Sequence, residues 1–434
     1  MSVNQAVAKD VPPVNRWAQL VVGIICMVMI ANLQYGWTFF VAPMSEAHGW
    51  SRAAIQWAFF IFVFTETWLV PVEGWFVDKL GPRIVVQFGA VLVAIAWVIN
   101  SVATTLPVLY FAAIVAGIGA GCVYGTCVGN ALKWFADRRG LAAGLTAAGF
   151  GAGAVLTTVP IIYTIENLGY QSAFFWFGLG QGAMILALSP LLRAPKPGQV
   201  PPSTKKTVFQ TTRDFTPNEI LKTPLFWVLY VMFTLVAAGG MMATAQFALI
   251  ASDWGVANVV VFGIATTLVV ANIVDNILNG LARPFFGWVS DQIGREITMF
   301  MVFSAGALCL LGAATFAENN PVMFVIFFGL IFFTWGEIYS LFPATCTDSF
   351  GSKYAATNAG ILYTAKGTAT LFAAPLAVLL MNSTGSWDAV FWIAAIMDVI
   401  AAAMAMLILK PMRMAHKAAF AMPSPAAPQP QAAE

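Results

Sequence analysis

Twelve apolar runs organise this chain, at residues 17 to 42, 53 to 75, 84 to 102, 106 to 130, 140 to 163 and 172 to 192, then 224 to 250, 258 to 287, 297 to 316, 321 to 345, 357 to 381 and 386 to 409. Each is long enough to cross a bilayer, which takes roughly 20 apolar residues in a helix. Twelve such helices need about 240 apolar positions, and 60% of the 434 residues are hydrophobic. Only 9% are charged, against about 25% in a soluble domain. A soluble enzyme is excluded, and a membrane β-barrel would show short alternating segments with far lower mean hydropathy. The first run is too long for the apolar core of a signal peptide and lacks a small-residue cleavage site, so it stays as the first span. The expected fold is an all-α membrane protein of 12 transmembrane helices.

The runs fall into two sets of six, predicting an N-terminal half over residues 1–192 and a C-terminal half over 223–410. Between them, residues 193–222 carry Pro195, Pro197, Pro201, Pro202 and six Lys or Arg residues, the composition of a cytoplasmic linker. From Pro411 to Glu434 the chain is rich in Ala and Pro without a periodic apolar face, which predicts a disordered cytoplasmic tail. With both termini inside, 18 of the 21 cations lie on the cytoplasmic side, Lys9, Lys205 and Lys206 among them, and Arg52 lies in an outer loop. The two that remain, Arg283 and Lys366, fall within spans. This predicts a multi-pass protein of the inner (plasma) membrane.

A net charge of +2 gives no reason to expect nucleic acid as a partner. Cys26, Cys122, Cys127, Cys309 and Cys346 sit in apolar runs without a CxxC pair, and His48 and His416 stand apart near helix ends as expected surface residues. No metal set, cofactor motif or catalytic triad is visible, and the lipid bilayer is the one extended partner.

The halves repeat one another. Gly74, Asp78 and Gly81 end the second run, and Gly287, Asp291 and Gly294 end the eighth, each 213 residues later. Gly121 and Tyr124 are echoed by Gly336 and Tyr339 at an offset of 215. Two such halves enclose a site near the bilayer midplane. The segments Gly74-Trp-Phe-Val-Asp78-Lys79-Leu-Gly81-Pro82-Arg83 and Gly287-Trp-Val-Ser-Asp291-Gln-Ile-Gly294-Arg295 resemble the signature loops of the major facilitator superfamily. That resemblance implies a transporter whose gating motif comprises Gly74, Asp78, Gly81, Arg83, Gly287, Asp291, Gly294 and Arg295.

A charge inside a span costs about 2.5 to 3.5 kcal/mol on insertion scales, so it should face the bundle interior and have a function. Asn272, Asn276, Asn279 and Arg283 fall within about 60° of one another on a helix and predict a polar cavity wall in the eighth span. Lys366 follows Tyr363 by one turn with no acid nearby in sequence; Asp275, Glu337 and Asp398 are the structural partners weighed for it. Two cavity cations otherwise call for an anionic substrate, the Arg as a planar fork and the Lys as a point charge.

The segments NRW (Asn15 to Trp17), LQYGW (Leu33 to Trp37), ARPFFGWVSDQIGR (Ala282 to Arg295), FFTWGEIYSLFPA (Phe332 to Ala344) and YTAKGTAT (Tyr363 to Thr370) resemble the oxalate/formate antiporter family. The resemblance implies a small carboxylate substrate, bound by Arg283 and Lys366 and lined by Gln34, Tyr35, Tyr124, Trp335 and Tyr339. Phe150 and Tyr363 complete the set where the family pattern leads one to expect Tyr and Trp, and Glu66, Asp275 and Glu337 are acids at positions expected to be uncharged. The implied activity is exchange of oxalate for formate by alternating access, by a protein acting as a monomer. Two alternatives stand beside it. One is proton-linked uptake of a monocarboxylate with Glu66, Asp275 or Glu337 as proton carrier; the other is a sensor that kept the fold without transport.

Overall fold

The computed structural model describes residues 14–196, 198–200 and 208–420. Lys9, Lys205, Lys206, Pro197, Pro201, Pro202 and the tail beyond residue 420 lie outside the described residues.

Within a bilayer each backbone group must find its partner inside the chain, so the apolar runs become helices. The first span is Arg16–Tyr35 continued by Thr38–His48; the second is Arg52–Trp68 and Val70–Leu80, bent by 43°. Pro82–Val102, Leu106–Trp134, Arg139–Leu168 and Tyr170–Leu188 complete the first half. The second half holds Pro224–Thr244 with Phe247–Asp253, Thr267–Ile293, Arg295–Phe316, Pro321–Trp335 with Ile338–Phe350, Ala355–Thr384, and Asp388–Met404 running on to Phe420. Asn15, Ser51 and Asn320 cap three of these helices with side-chain oxygens. Trp57, Phe88, Phe111 and Trp176, all more than half exposed, form part of the lipid-facing surface.

Among the described residues, ten helices qualify as spans by length and apolarity, and the bent pair makes an eleventh. The twelfth is Thr267–Ile293. Its Asn, Asp and Arg residues lower its hydropathy, yet its 27 residues reach about 40 Å.

The eighth run departs from expectation at its start. Residues 258–266 are a hairpin end rather than helix: Val260–Val261 pairs antiparallel with Ala265–Thr266, and Phe262 and Gly263 turn the chain at φ 54° and 67°. Two positive φ values in succession turn the chain tightly within a three-residue loop, closed by the Ile264 N–H donating to the Val261 carbonyl at 3.1 Å. The helix begins only at Thr267.

The halves meet mainly along the fifth span against the eighth and the second against the eleventh. At the end carrying both signature loops, the motif end, the contacts are pseudo-symmetric. Asp78 accepts from the Thr357 backbone N–H at 2.9 Å and from its hydroxyl at 2.6 Å, near the start of the eleventh span, and pairs with Lys133 at 2.6 Å. Asp291 accepts from the amides of Gly140 and Leu141 at 3.0 and 2.8 Å, at the start of the fifth span, and pairs with Arg295 at 2.8 Å. Each carboxylate thus meets the positive end of a helix in the opposite half. Arg295 and Arg139 share Asp348 at 2.9 and 2.8 Å. Arg83, expected with the gating residues, is exposed and makes no ion pair among the described residues. Its helix has already turned it outward, and Lys133 serves Asp78 instead.

The glycines of the motif act by what they lack. A Cβ on Gly74 would lie 2.6 Å from the Ala356 carbonyl oxygen, and one on Gly287 would collide with Gly140.

The described part of the linker is stitched to this end. Gln210 donates to the Ala136 carbonyl at 2.6 Å and to Asp348 at 3.0 Å, joining the two halves. Thr216 and Glu219 form a reciprocal cap on Pro217–Leu221, whose amide and hydroxyl bonds hold the Glu219 carboxyl below its ordinary range. The chain after Pro411 is not irregular as expected up to residue 420: Lys410–Phe420 is a helix. Its buried Arg413 reaches Glu296 at 2.5 Å and Ser349 at 3.1 Å, while His416 and Phe420 pack against Phe215. Arg, His and Phe at three- and four-residue steps form a face that an apolar count overlooks. His48 is likewise no isolated surface group, because its Nε2 lies 2.6 Å from the Tyr170 hydroxyl and its ring stacks on Trp50.

Gly74→Val should separate the second span from the eleventh and lower the melting temperature in detergent, since overpacking costs about 1–3 kcal/mol. Wild-type melting of the variant would contradict so close an approach.

Candidate functional site

Breaks in the helices bring backbone and side chains together at mid-depth. The first span is interrupted at Gly36–Trp37, directly after Gln34 and Tyr35. The tenth is interrupted at Gly336–Glu337, between Trp335 and Tyr339. At Gly336 a Cβ would stand 2.7 Å from the Asn279 carbonyl oxygen, so this glycine lets the tenth span press against the eighth.

Arg283 is 1% exposed. Its two terminal nitrogens donate to the Ala147 carbonyl at 2.7 Å and to Asn279 Oδ1 at 2.8 Å, and its guanidinium carbon stands 4.7 Å from the centre of the Tyr339 ring. Among the described residues it has no acidic partner within ion-pair distance. A buried guanidinium held by neutral acceptors and an aromatic face keeps its charge available for an incoming anion. Asn279 sets its orientation and also donates to the Phe332 carbonyl at 3.2 Å. The rest of the expected polar stripe lies further along: Asn276 donates to the Asn272 carbonyl at 2.7 Å, and Asn272 is exposed.

Lys366 is also buried, 5.7 Å from the centre of the same Tyr339 ring. It is not free of a counter-ion. Its Nζ donates to the Tyr363 hydroxyl at 2.9 Å and lies 3.6 Å from Glu66 Oε2 in the second span. The Tyr363 hydroxyl in turn donates to Glu66 Oε1 at 3.4 Å. None of the acids weighed from sequence, Asp275, Glu337 or Asp398, takes this place. Glu66 is 300 residues away in the other half and became a neighbour only through folding.

The aromatic residues join into one chain of ring contacts across both halves. Tyr35 meets Phe150 at 5.4 Å, Phe150 meets Tyr124 at 5.5 Å, and Tyr124 meets Tyr363 at 4.9 Å. Tyr363 meets Tyr339 at 6.3 Å and Tyr339 meets Trp335 at 5.9 Å. The rings are closed on one another: the space beside Tyr124 and Tyr363 is about 20 Å³, room for a single water. Gln34 stands half-buried next to Tyr35. Two cations, neutral donors and a wall of rings form a setting for a small, flat anion.

Lys366→Gln should strand the Glu66 carboxylate in a dry environment at a cost of about 3–5 kcal/mol, and the double variant Glu66→Gln/Lys366→Gln should recover most of it. Thermal unfolding in detergent checks this. A double variant no more stable than the single would mean that the pair does not interact.

A family model for the Major Facilitator Superfamily matches residues 23–367 and again 276–430. The chain is 38% identical to the oxalate:formate antiporter of Oxalobacter formigenes, covering 91% of this chain and 92% of that protein. It is 25% identical to monocarboxylate transporter 12-B of Danio rerio, over 73% of this chain and 70% of the other. Among solved structures, the proton:xylose symporter XylE superposes with a TM-score of 0.67 at 14% identity, covering 91% and 96% of the two chains, a likeness of fold alone. With twelve spans in two repeated halves and a matching family model over most of its length, the chain belongs to the Major Facilitator Superfamily.

Proposed function

We propose that this protein exchanges small carboxylate anions across the membrane, oxalate for formate, by rocking its two halves about the central site. The observation that carries the reading is the placement of Arg283 and Lys366: both buried, both over the Tyr339 ring, and bounded by aromatic groups of both halves. The likeness to an oxalate:formate antiporter over nine-tenths of the chain supports the choice of substrate.

In this reading Arg283 holds one carboxylate through its planar fork and Lys366 draws the other away from Glu66. Gln34, Tyr35, Tyr124, Tyr339, Tyr363, Trp335 and Phe150 line the cage. Asn279 positions Arg283, and Asn276 and the exposed Asn272 continue the polar stripe away from it. The empty cage holds an excess of positive charge that opposes closure in a low-dielectric interior. A bound anion removes that barrier, so the halves reorient loaded and net transport becomes exchange. Gly74, Asp78, Gly81, Gly287, Asp291, Gly294 and Arg295 lock the motif end between cycles.

The cation distribution supports a plasma-membrane protein with both termini and the motif end in the cytoplasm. The division into halves at residues 192 and 223 fits the contacts between spans, and a site built wholly within one chain fits a working monomer. The loose Glu66–Lys366 pair favours a second reading, proton-linked monocarboxylate transport, in which Arg283 takes the anion and Glu66 exchanges its bond to Lys366 for the transported proton.

Proteoliposomes separate these readings. Labelled oxalate should enter vesicles loaded with formate or oxalate and enter empty vesicles far more slowly; equal uptake by empty vesicles would overturn exchange. Arg283→Gln and Lys366→Gln should each reduce oxalate exchange at least a hundredfold, on the order of the 3 kcal/mol lost when a buried charge lacks its partner. Lactate uptake driven by a pH gradient, without oxalate exchange, would establish the second reading.

A further inference from the structure

The ion pair at the site is loose compared with those that lock the motif end. Lys366 and Glu66 stand 3.6 Å apart, whereas Lys133–Asp78, Arg139–Asp348 and Arg295–Asp348 close to 2.6, 2.8 and 2.9 Å. A loose pair leaves Lys366 open to a competing anion. Glu66 has no such freedom: its side chain is fully buried, and its remaining bonds are to the Tyr363 hydroxyl at 3.4 Å and the Thr67 hydroxyl at 3.2 Å.

Charge counting sets what the site can hold. With Glu66 ionised, Arg283, Lys366 and Glu66 sum to one positive charge, which a monoanion neutralises. A dianion would bring three negative charges against two positive ones in a dry chamber, with Glu66 deprived of its cation. An uncompensated buried carboxylate is strongly disfavoured and becomes neutral by binding a proton.

Among the described residues, the groups around Glu66 offer no alternative cation within ion-pair distance. The eleventh span contributes Lys366 and Tyr363, the fourth Tyr124 and the tenth Tyr339. Further along the second span stand Glu73, which is buried, and then Asp78, which is held by Lys133. The first span contributes Tyr35, while its charged groups Arg16, Glu46 and His48 stand near its ends. The hydrogen-bond order, Lys366 to the Tyr363 hydroxyl to Glu66, joins the cation to the carboxylate.

We propose that Glu66 is a titratable counter-ion that takes up one proton when a dianion engages Lys366, so that oxalate crosses with a proton and its exchange for formate moves no net charge. This rests on the carboxylate-exchange reading above. A monoanion bound on Arg283 leaves the Lys366–Glu66 pair intact and needs no proton. The protonation of one residue thereby decides between a monocarboxylate and a dicarboxylate site.

The test uses purified full-length protein in proteoliposomes with labelled oxalate and internal formate. Over the pH range in which both carboxylates of oxalate stay ionised, oxalate affinity should tighten by about tenfold per pH unit of acidification between the midpoints of the empty and loaded sites, as one linked proton requires. Formate affinity should stay nearly flat. An imposed potassium diffusion potential should leave wild-type oxalate–formate exchange unchanged. In Glu66→Gln, oxalate affinity should lose its pH dependence, and exchange should be slowed by an inside-negative potential and sped by an inside-positive one; Glu66→Asp should keep the wild-type pattern. Wild-type exchange that is potential-sensitive, with an oxalate affinity indifferent to pH, overturns the proposal while leaving exchange itself in place. Absence of oxalate–formate exchange in the wild type overturns both. The wild-type pH and potential series decides the matter even if the Gln variant fails to fold.

Discussion

The cost of placing a charge where there is no water governs this molecule. Arg283, Lys366 and Glu66 are nearly inaccessible to solvent, and they survive there through two different solutions. Arg283 distributes its charge over the Ala147 carbonyl, Asn279 and the Tyr339 face. Lys366 and Glu66 compensate one another through space and through the Tyr363 hydroxyl. These solutions are adequate for the protein alone, and under the proposed function they are incomplete enough for an anion to displace them. A fully satisfied buried network would be rigid and indifferent to substrate.

The same constraint is met differently at the motif end. There, Asp78 and Asp291 are saturated by backbone amides and short ion pairs, each fastening the helix that carries it to the start of a helix in the other half. Glycines at the crossings remove the side chains that would hold the backbones apart. Under the proposed function, the saturated pairs at the motif end serve as a latch and the looser Lys366–Glu66 pair belongs to the site. The linker and the Lys410–Phe420 helix reinforce the latch by spanning Asp348, Ser349 and Glu296.

Much of this was legible in the amino-acid order. The spans follow from hydropathy, the halves from the 213-residue repeat, and the two unusual cations from sorting charge by depth. Residues 258–266 read as a span start because an apolar run does not distinguish hairpin from helix; Phe262-Gly263 was the turn signal within it. The Lys410–Phe420 helix escaped notice because its buried face is made of Arg, His and Phe. Arg83 belonged to a motif by position, yet its direction on the helix carries it into the open. The aromatic chain could be named residue by residue but not connected, since the contacts join rings on five different spans.

By itself the sequence determined that the chain crosses a membrane twelve times, that its halves are copies, and that Arg283 and Lys366 are set apart from every other cation. These are properties of local composition and period, enforced by the bilayer on each segment separately. Only the tertiary structure decided which groups answer those charges. Glu66 and Tyr363 meet across 297 positions and Asp78 and Thr357 across 279. Such pairings depend on how two halves close upon each other, and no periodicity within a span encodes the distance between them.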